Sequence, residues 1–383
     1  MSAEPAAMLA AGGTAGHLFP AFALAQELHR RGIVVDLMTD MRGDRYRASF
    51  PARAVYQVRS GTLSGRSPLA AARALTALGR GLAEAHGILG RAAPAAVVGF
   101  GGYPTLPPLV AARLRRIPTA LHEANAVLGR ANRLLGKGVS AIATSFDKTH
   151  LLSAGMARKA TVTGNPVRDA VLALAGSPYR VAGAGEPFRL LVFGGSQGAR
   201  YFSDAVPPAL AELPAALKSR LRVIQQCRAE DLERVRQLYV GSGIAAELAA
   251  FFDNLPDLMA SAQLVIGRAG ASSVAELSVI GRPSILVPLP HALDNDQLQN
   301  ATRLAEAGAS WCIEQKDLAP ARLAGVLTQL LSTPEQLAHA AAAAKAQGRP
   351  DAAARLADVV EELMVRRSLQ ARARAPAAAG FRR

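Results

Sequence analysis

Leu264-Val-Ile-Gly-Arg-Ala-Gly-Ala-Ser-Ser-Val-Ala-Glu276 carries an apolar run into a turn of small residues, and Leu277-Ser-Val-Ile280 resumes the apolar pattern beyond it. The stretch reads as strand, loop and helix start. Gly270 and Ala271 leave the backbone accessible, and Ser272 or Ser273 is expected to cap the new helix. Open amides at a helix N-terminus suit an anion such as a nucleotide diphosphate. Glu276 falls about one turn further along, where its carboxylate would accept hydrogen bonds from two neighbouring ribose hydroxyls. Taken alone, the stretch is equally compatible with an ordinary α/β turn and an exposed glutamate.

Upstream, Phe188-Arg-Leu-Leu-Val-Phe193 is a buried strand that opens onto Gly194-Gly-Ser-Gln-Gly198, followed by a helix over 199–213 and a strand at Leu221-Arg-Val-Ile224. The first half begins in the same way. Met8-Leu-Ala-Ala11 leads into Gly12-Gly-Thr-Ala-Gly-His17-Leu-Phe-Pro20. Pro20 suits a first helical turn, the helix is expected to end at Gly32, and Ile33-Val-Val-Asp-Leu-Met38 is the next strand. Two such openings imply an α/β chain of two Rossmann-like, doubly wound domains facing a cleft. The glycine spacing is not the dinucleotide fingerprint, so no nicotinamide cofactor is expected, nor any other. The expected layout is an N-terminal domain over 1–168, a linker over 169–187 and a nucleotide-binding domain over 188–350. A final helix over 351–364 is expected to pack back on the first domain, with a disordered basic tail over 365–383.

Charge separates the halves. The chain of 383 residues has a formal net charge of +15. Residues 1–168 hold 21 Lys/Arg against 8 Asp/Glu, a balance of +13, and residues 169–383 hold 23 against 21, a balance of +2. Such asymmetry points the first half toward an anionic partner, a membrane surface or a nucleic acid. Few aromatic residues and no reading motif speak against nucleic acid. Cys227 and Cys312 have neither pairing nor metal-ligand spacing, which fits a reduced cytosolic protein. No apolar run is long enough to span a bilayer, so a soluble or peripheral protein is expected.

Polar residues gather where strands of the first half end. Gly99-Phe-Gly-Gly-Tyr103 follows one strand and His122-Glu-Ala-Asn125 follows another, and ligands of open parallel sheets bind at the carboxyl ends of strands. His17 lies at the mouth of the first glycine loop, and Glu123 is a candidate base or orienter. The helix ending in Arg113, Arg115 and Arg116 could rest its arginine rim on anionic headgroups.

Taken together, Gly12-Gly-Thr-Ala-Gly-His17, Gly99-Phe-Gly-Gly-Tyr103, His122-Glu-Ala-Asn125, Gly164-Asn-Pro-Val-Arg168, Gly194-Gly-Ser-Gln-Gly-Ala199, Arg268-Ala-Gly-Ala271 and Asp294-Asn-Asp-Gln-Leu-Gln-Asn-Ala301 resemble the MurG family, the lipid II-forming N-acetylglucosaminyltransferases of bacterial cell-wall synthesis. The resemblance covers nearly the whole chain. It implies a GT-B fold and transfer of N-acetylglucosamine from UDP-N-acetylglucosamine to the 4-hydroxyl of lipid I, with inversion. Donor contacts carry over to Thr14, Ala15, Gly16, Asn125, Arg168 and Ser196, to Ala271, Ser272, Ser273, Val274, Ala275 and Glu276, and to Gln297. Phe252 matches a uracil-contacting position, and Gly101, Gly102 and Tyr103 fall on the acceptor side. The implied partners are UDP-N-acetylglucosamine, lipid I, an anionic membrane surface and other cell-wall synthesis proteins, with no nucleic acid. The implied location is peripheral, on the cytoplasmic face of the cell membrane.

This chain departs from the family pattern at Ala15, where glycine is usual, at Ala124, where glutamine is usual, and at Ala269, where serine is common. None of the three removes a titratable group, so activity is expected. Inversion needs a base for the acceptor proton and a cationic or dipolar site for the departing UDP. His17 or Glu123 is the base on this reading, and Arg168, Ser196 and loop amides hold the diphosphate. No metal is expected: Asp294-Asn-Asp296 has metal-like spacing, but the resemblance puts it in a sugar-binding segment. A UDP-N-acetylglucosamine 2-epimerase and a glycolipid transferase of the same fold are the nearest alternatives.

Overall fold

Apolar residues alternate along the first strand, with Ala7, Leu9 and Ala11 in one core and Met8 and Ala10 in another. A strand buried on both faces needs helices on both sides of its sheet. The computed structural model describes residues 5–12, 15–40, 50–61, 68–183, 185–195 and 198–374. The chain divides into two compact units, Met1–Arg168 with Asp351–Arg383, and Asp169–Pro350.

In the first unit β1 (Ala6–Ala10), β2 (Val34–Thr39), β3 (Ala54–Gln57), β4 (Ala96–Gly99), β5 (Thr119–Glu123), β6 (Ala141–Thr144) and β7 (Ala160–Val162) form a parallel sheet ordered β3-β2-β1-β4-β5-β6-β7. Its helices are α1 (Ala15–Arg30), α2 (Pro68–Ala92), α3 (Leu106–Leu114), α4 (Arg130–Gly136) and α5 (Ala154–Ala157). The second unit begins with α6 (Asp169–Leu172). Its strands are β8 (Phe188–Phe193), β9 (Leu221–Gln226), β10 (Ala245–Ala249), β11 (Leu264–Gly267), β12 (Ser284–Leu286) and β13 (Ser310–Cys312), parallel and ordered β10-β9-β8-β11-β12-β13. Around them lie α7 (Arg200–Ala211), α8 (Ala215–Lys218), α9 (Leu232–Ser242), α10 (Leu255–Ser261), α11 (Ala271–Ile280), α12 (Asp296–Glu306), α13 (Pro320–Ser332) and α14 (Pro334–Gln347). The last helix, α15 (Ala352–Arg374), belongs to the first unit.

Each sheet reverses its winding at the centre, between β1 and β4 in the first and between β8 and β11 in the second. The paired ends are Ala10 with Gly99, and Phe193 with Gly267. Loops leaving two such strands diverge and open a crevice. Four of the glycine motifs of the sequence reading, those at Gly12, Gly99, Gly194 and Gly270, leave these four strands, and Gly164 follows β7.

Helix α1 starts earlier than expected. Leu18, Ala21, Leu24, Ala25 and Leu28 are all buried, so the apolar stripe extends a turn ahead of Pro20. Pro20 therefore lies inside the helix, where it removes the bond to the Gly16 carbonyl, and packing of that stripe outweighs the loss. His17 consequently belongs to the first turn of α1 and not to a loop.

The C-terminal helix covers the same face as α1. Leu356, Ala357, Val360, Leu363 and Met364 form its apolar side against the first sheet. Arg31 ties the two helices, 2.7 Å from Asp358 and 3.2 Å from Glu361. A helix ending at residue 364 was expected, but α15 continues to Arg374. Arg366 pairs with Glu362 one turn back, which favours helix, and Arg367 donates to the Pro94 carbonyl, which anchors this part of α15 to the first unit. Residues 375–383 lie outside the described residues. The segment expected as a linker packs within the second unit: the Tyr179 hydroxyl donates to the Gln263 carbonyl at 2.9 Å, and buried Arg282 donates to the Pro178 carbonyl at 3.2 Å.

Candidate active site

In the first unit the loop after β4 turns at Gly101 and Gly102, both with positive φ, 88° and 75°. A Cβ built on Gly102 would stand 3.2 Å from Cε1 of His17, and one on Gly101 would stand 3.4 Å from its Nε2. The imidazole is thus laid directly on this turn, and a side chain there would displace it. Tyr103 begins a short 3-10 turn that leads into α3. His17, Gly101, Gly102 and Tyr103 therefore meet at the switch point of the first sheet.

The end of β5 contributes a second cluster. Glu123 is 3% exposed. Its Oε1 accepts from the Asn125 backbone N–H at 3.0 Å and from Asn125 Nδ2 at 3.3 Å. Its Oε2 accepts from the Gly129 N–H at 2.8 Å and from Asn132 Nδ2 at 2.8 Å. A carboxylate has about four lone-pair sites, and here four donors occupy them. Burial pushes the carboxyl above its usual range, and the four hydrogen bonds oppose that rise. Its neighbour His122 is fully buried, and its Nε2 lies 3.3 Å from the Gly164 carbonyl. Since a carbonyl only accepts, Nε2 carries the proton and Nδ1 is bare. Burial lowers the His122 pKa to about 4, the nearby His17 acting in the same direction.

The other predicted residues of this unit lie around the same ends. Asn125 directs its amide to Glu123, and the Arg168 guanidinium stacks 4.3 Å from the centre of the Phe19 ring. Ala15 and Gly16 are the first residues of α1. Thr14 lies outside the described residues, as does Ser196 in the second unit.

In the second unit β8 opens onto Gly194, which lies close to Ala199. A Cβ on Gly194 would come within 2.3 Å of the Ala199 amide nitrogen, so only glycine fits there. Beside it, β11 passes through Arg268 into α11. The expected serine cap is absent: Gly270, extended at φ −63° and ψ 145°, is the N-cap, without a side-chain bond. The N–H groups of Ala271, Ser272 and Ser273 have no acceptor within the helix. Ser272 Oγ is buried there without a hydrogen-bond partner. Val274 and Ala275 complete the first turn and a half, and Glu276 is 5% exposed on the next. The glutamate is therefore buried, contrary to the exposed alternative.

Arg268 braces this turn from behind. It is 8% exposed, donates to the carbonyls of Val287 and Pro288 at 3.1 Å, and reaches Gln315 Oε1 at 2.6 Å. Before α12, Asp294 and Asn295 both have left-handed backbones, φ 56° and 53°, a strained pair that Asp and Asn tolerate best. Gln297 follows, its Oε1 accepting from the Leu289 N–H at 3.0 Å, and Asn300 Nδ2 donates to the Ala269 carbonyl at 3.0 Å. The α12 segment is thus tied to the α11 turn. Phe252 is half-buried after β10, beside the exposed Phe251.

The arrangement offers an imidazole on a tight turn in one unit and a helix start with open amides in the other. Among the described residues no group of three or more His, Cys, Asp or Glu could hold a metal, and no helix is long and apolar enough to cross a membrane. Asn132 and Gln226 were missed from sequence. Asn132 is a buried polar residue in the first turn of α4, and Gln226 ends a strand that was read as stopping at Ile224. Buried polarity at strand and helix ends is the signal that would have found both.

Comparison with known proteins agrees with these features. Residues 7–144 match the glycosyltransferase family 28 N-terminal domain, and residues 189–356 match its C-terminal domain. A Methylobacterium nodulans protein named UDP-N-acetylglucosamine--N-acetylmuramyl-(pentapeptide) pyrophosphoryl-undecaprenol N-acetylglucosamine transferase is 55% identical over 351 residues, 91% of this chain and 94% of its own length. A Mesorhizobium japonicum protein of the same name is 52% identical over 344 residues, 90% of this chain and 91% of its own. The crystal structure of Acinetobacter baumannii MurG matches with a TM-score of 0.77 at 28% identity, over 94% of this chain and 99% of that one. The Neisseria meningitidis UDP-GlcNAc 2-epimerase matches with a TM-score of 0.65 at 13% identity, over 94% and 100%, a likeness of fold alone. Two parallel α/β sheets of this order, with these matches, are the GT-B fold class.

Proposed function

The chain belongs to the UDP-N-acetylglucosamine–N-acetylmuramyl-(pentapeptide) pyrophosphoryl-undecaprenol N-acetylglucosamine transferases of glycosyltransferase family 28, and from that premise we propose how its residues divide the work. The reaction moves N-acetylglucosamine from UDP-N-acetylglucosamine to the muramoyl 4-hydroxyl of lipid I, with inversion, and yields lipid II for peptidoglycan.

His17 is the base. Its imidazole takes the acceptor hydroxyl proton as that oxygen attacks the anomeric carbon and the bond to UDP breaks. The observation that carries this assignment is the contrast between the two candidates. The His17 ring lies on the Gly101–Gly102 turn, whereas the lone pairs of Glu123 are engaged by four N–H donors. A base must offer a lone pair to the reacting proton. Glu123 is accordingly a positioning residue that holds the loop carrying Asn125 and Gly129.

The departing diphosphate gathers negative charge, which helix N-terminal amides and guanidinium groups stabilise. The amides of Ala271, Ser272 and Ser273 serve that role, together with Ser196 and Arg168. Glu276 accepts from the ribose hydroxyls, Phe252 contacts the uracil and Gln297 the sugar. Thr14, Ala15, Gly16 and Asn125 complete the donor contacts, while Gly101, Gly102 and Tyr103 meet the acceptor.

The enzyme works peripherally at the cytoplasmic face of the membrane. Support comes from α3 and the adjacent α4, where Leu114 and Leu134 are 64% and 67% exposed beside the exposed Arg113, Arg115 and Arg116. Apolar residues among arginines suit an anionic headgroup layer.

Incubating labelled UDP-N-acetylglucosamine with and without a short-chain lipid I analogue tests the activity. Label enters the lipid only when the acceptor is present. Donor consumed to an epimer without acceptor would instead mark a 2-epimerase.

A further inference from the structure

Strand β9 lies between β10 and β8 in the second sheet, so its carboxyl end stands between two loops that leave its neighbours. One is the glycine loop from Gly194, and the other is the 250–252 segment that reaches Phe252. Gln226, the last residue of β9, is 6% exposed and touches both. Its Oε1 accepts from the Gly194 N–H at 3.1 Å, and its Nε2 donates to the Ala250 carbonyl at 3.2 Å. The amide orientation follows from its partners, because a backbone N–H only donates and a carbonyl only accepts.

The bridge continues the sheet. The β9–β10 ladder pairs Gln226 with Ala249, and the Cys227 N–H donates to the Ala249 carbonyl at 3.0 Å. The Gln226 side chain adds one more rung, to the next carbonyl, and in the same amide reaches across to the exit of β8. Its neighbour Gln225 turns the opposite way, as strand alternation requires, and accepts from the Tyr239 hydroxyl in the core. No charged side chain could replace Gln226, since the site needs one acceptor and one donor on a planar group.

We propose that Gln226 is a positioning residue for the nucleotide, a single amide that sets the diphosphate loop and the uracil-side segment at a fixed spacing. The proposal rests on the donor-site reading above. Gly194 opens the loop in close contact with Ala199, so the placement of the loop's start depends on what grips the Gly194 amide. Gln226 supplies that grip and ties it to the segment on which a nucleobase would rest. Base and diphosphate recognition are thereby coupled, and a uridine nucleotide of the right span is favoured over either half alone.

The test compares wild type with Gln226→Leu, which loses both bonds, and Gln226→Glu, which keeps an acceptor for Gly194 and sets a carboxylate against the Ala250 carbonyl. UDP and uridine binding are measured by calorimetry, KM is measured for UDP-N-acetylglucosamine and for a lipid I analogue, and thermal midpoints report folding. Both variants are expected to bind UDP at least about fivefold more weakly. Donor KM is expected to rise to match, while acceptor KM stays within twofold. Gln226→Glu is expected to lose uridine affinity as well. If Gln226→Leu proves unstable, the near-isosteric Gln226→Glu carries the comparison. UDP affinity within twofold of wild type in a folded variant, or equal losses in donor and acceptor KM, would overturn the proposal. Failure of the wild type itself to bind UDP would overturn the donor-site reading, and the proposal with it.

Discussion

Asn132 Nδ2 lies 2.8 Å from Glu123 Oε2, which makes a residue of α4 one of four donors that enclose a buried carboxylate. The pairing fixes the start of α4 against the end of β5, and with it the loop that carries Asn125. Removing the carboxylate in Glu123→Ala leaves those donors buried without an acceptor and is expected to cost about 3 kcal/mol of stability. Turnover is expected to fall with it. In a variant held folded by low temperature, the acidic limb of the pH–kcat profile should keep its wild-type position, because Glu123 does not exchange the proton. A displaced limb would make Glu123 the base.

Gly102→Ala reaches the same site by another route. Its φ of 75° disfavours any side chain, and the new Cβ would stand 3.2 Å from His17 Cε1. The expected outcome is about 1 kcal/mol of destabilisation with a disproportionate loss of kcat, measured by thermal melts beside steady-state kinetics. Full activity in that variant would show that the imidazole need not lie where the turn holds it.

His122 should give stability a pH dependence. Its folded pKa of about 4 lies below the ordinary imidazole value of about 6.5, so the unfolded chain binds the proton more readily. Stability is therefore complete above pH 6.5 and is lost as pH falls from 6.5 toward 4, by on the order of 3 kcal/mol. His122→Leu is expected to be less stable at neutral pH, because the Gly164 carbonyl loses one of its two donors and keeps only the Thr163 hydroxyl, yet to show a shallower slope across that window. Denaturant titrations at a series of pH values measure both, and equal slopes would remove His122 as the source.

Glu276 is expected to act through the ribose. Glu276→Ala should raise KM for UDP-N-acetylglucosamine about tenfold and leave the acceptor KM unchanged. With a 2′-deoxyuridine donor the wild type should lose affinity while the variant changes little. Comparable losses in both proteins would place the ribose elsewhere.

Much of this was legible in sequence, for identifiable reasons. Runs such as Phe188 to Phe193 are apolar at every position but one, as strands buried on both faces must be, and glycine after each marks where a close turn follows. The start of α1 was misread because Pro20 was given its usual first-turn place, although Leu18 already belongs to the buried stripe. The serine cap failed for a similar reason. Ser272 and Ser273 are good caps by type, but α11 already begins at Ala271, which puts Gly270 at the cap position and both serines inside the first turn. Asn132 and Gln226 act through hydrogen bonds to residues 9 and 32 positions away, and no local pattern reports such a partner.

The central claim is that the imidazole of His17 removes the acceptor proton. Single-turnover transfer of labelled N-acetylglucosamine to a lipid I analogue tests it most directly, comparing wild type with His17→Ala at saturating donor and acceptor. The account expects the rate to fall about 100- to 10,000-fold, with UDP affinity and thermal midpoint unchanged and the limb of the pH profile belonging to the base abolished. A His17→Ala enzyme that transfers within tenfold of wild type, with that limb intact, would contradict it.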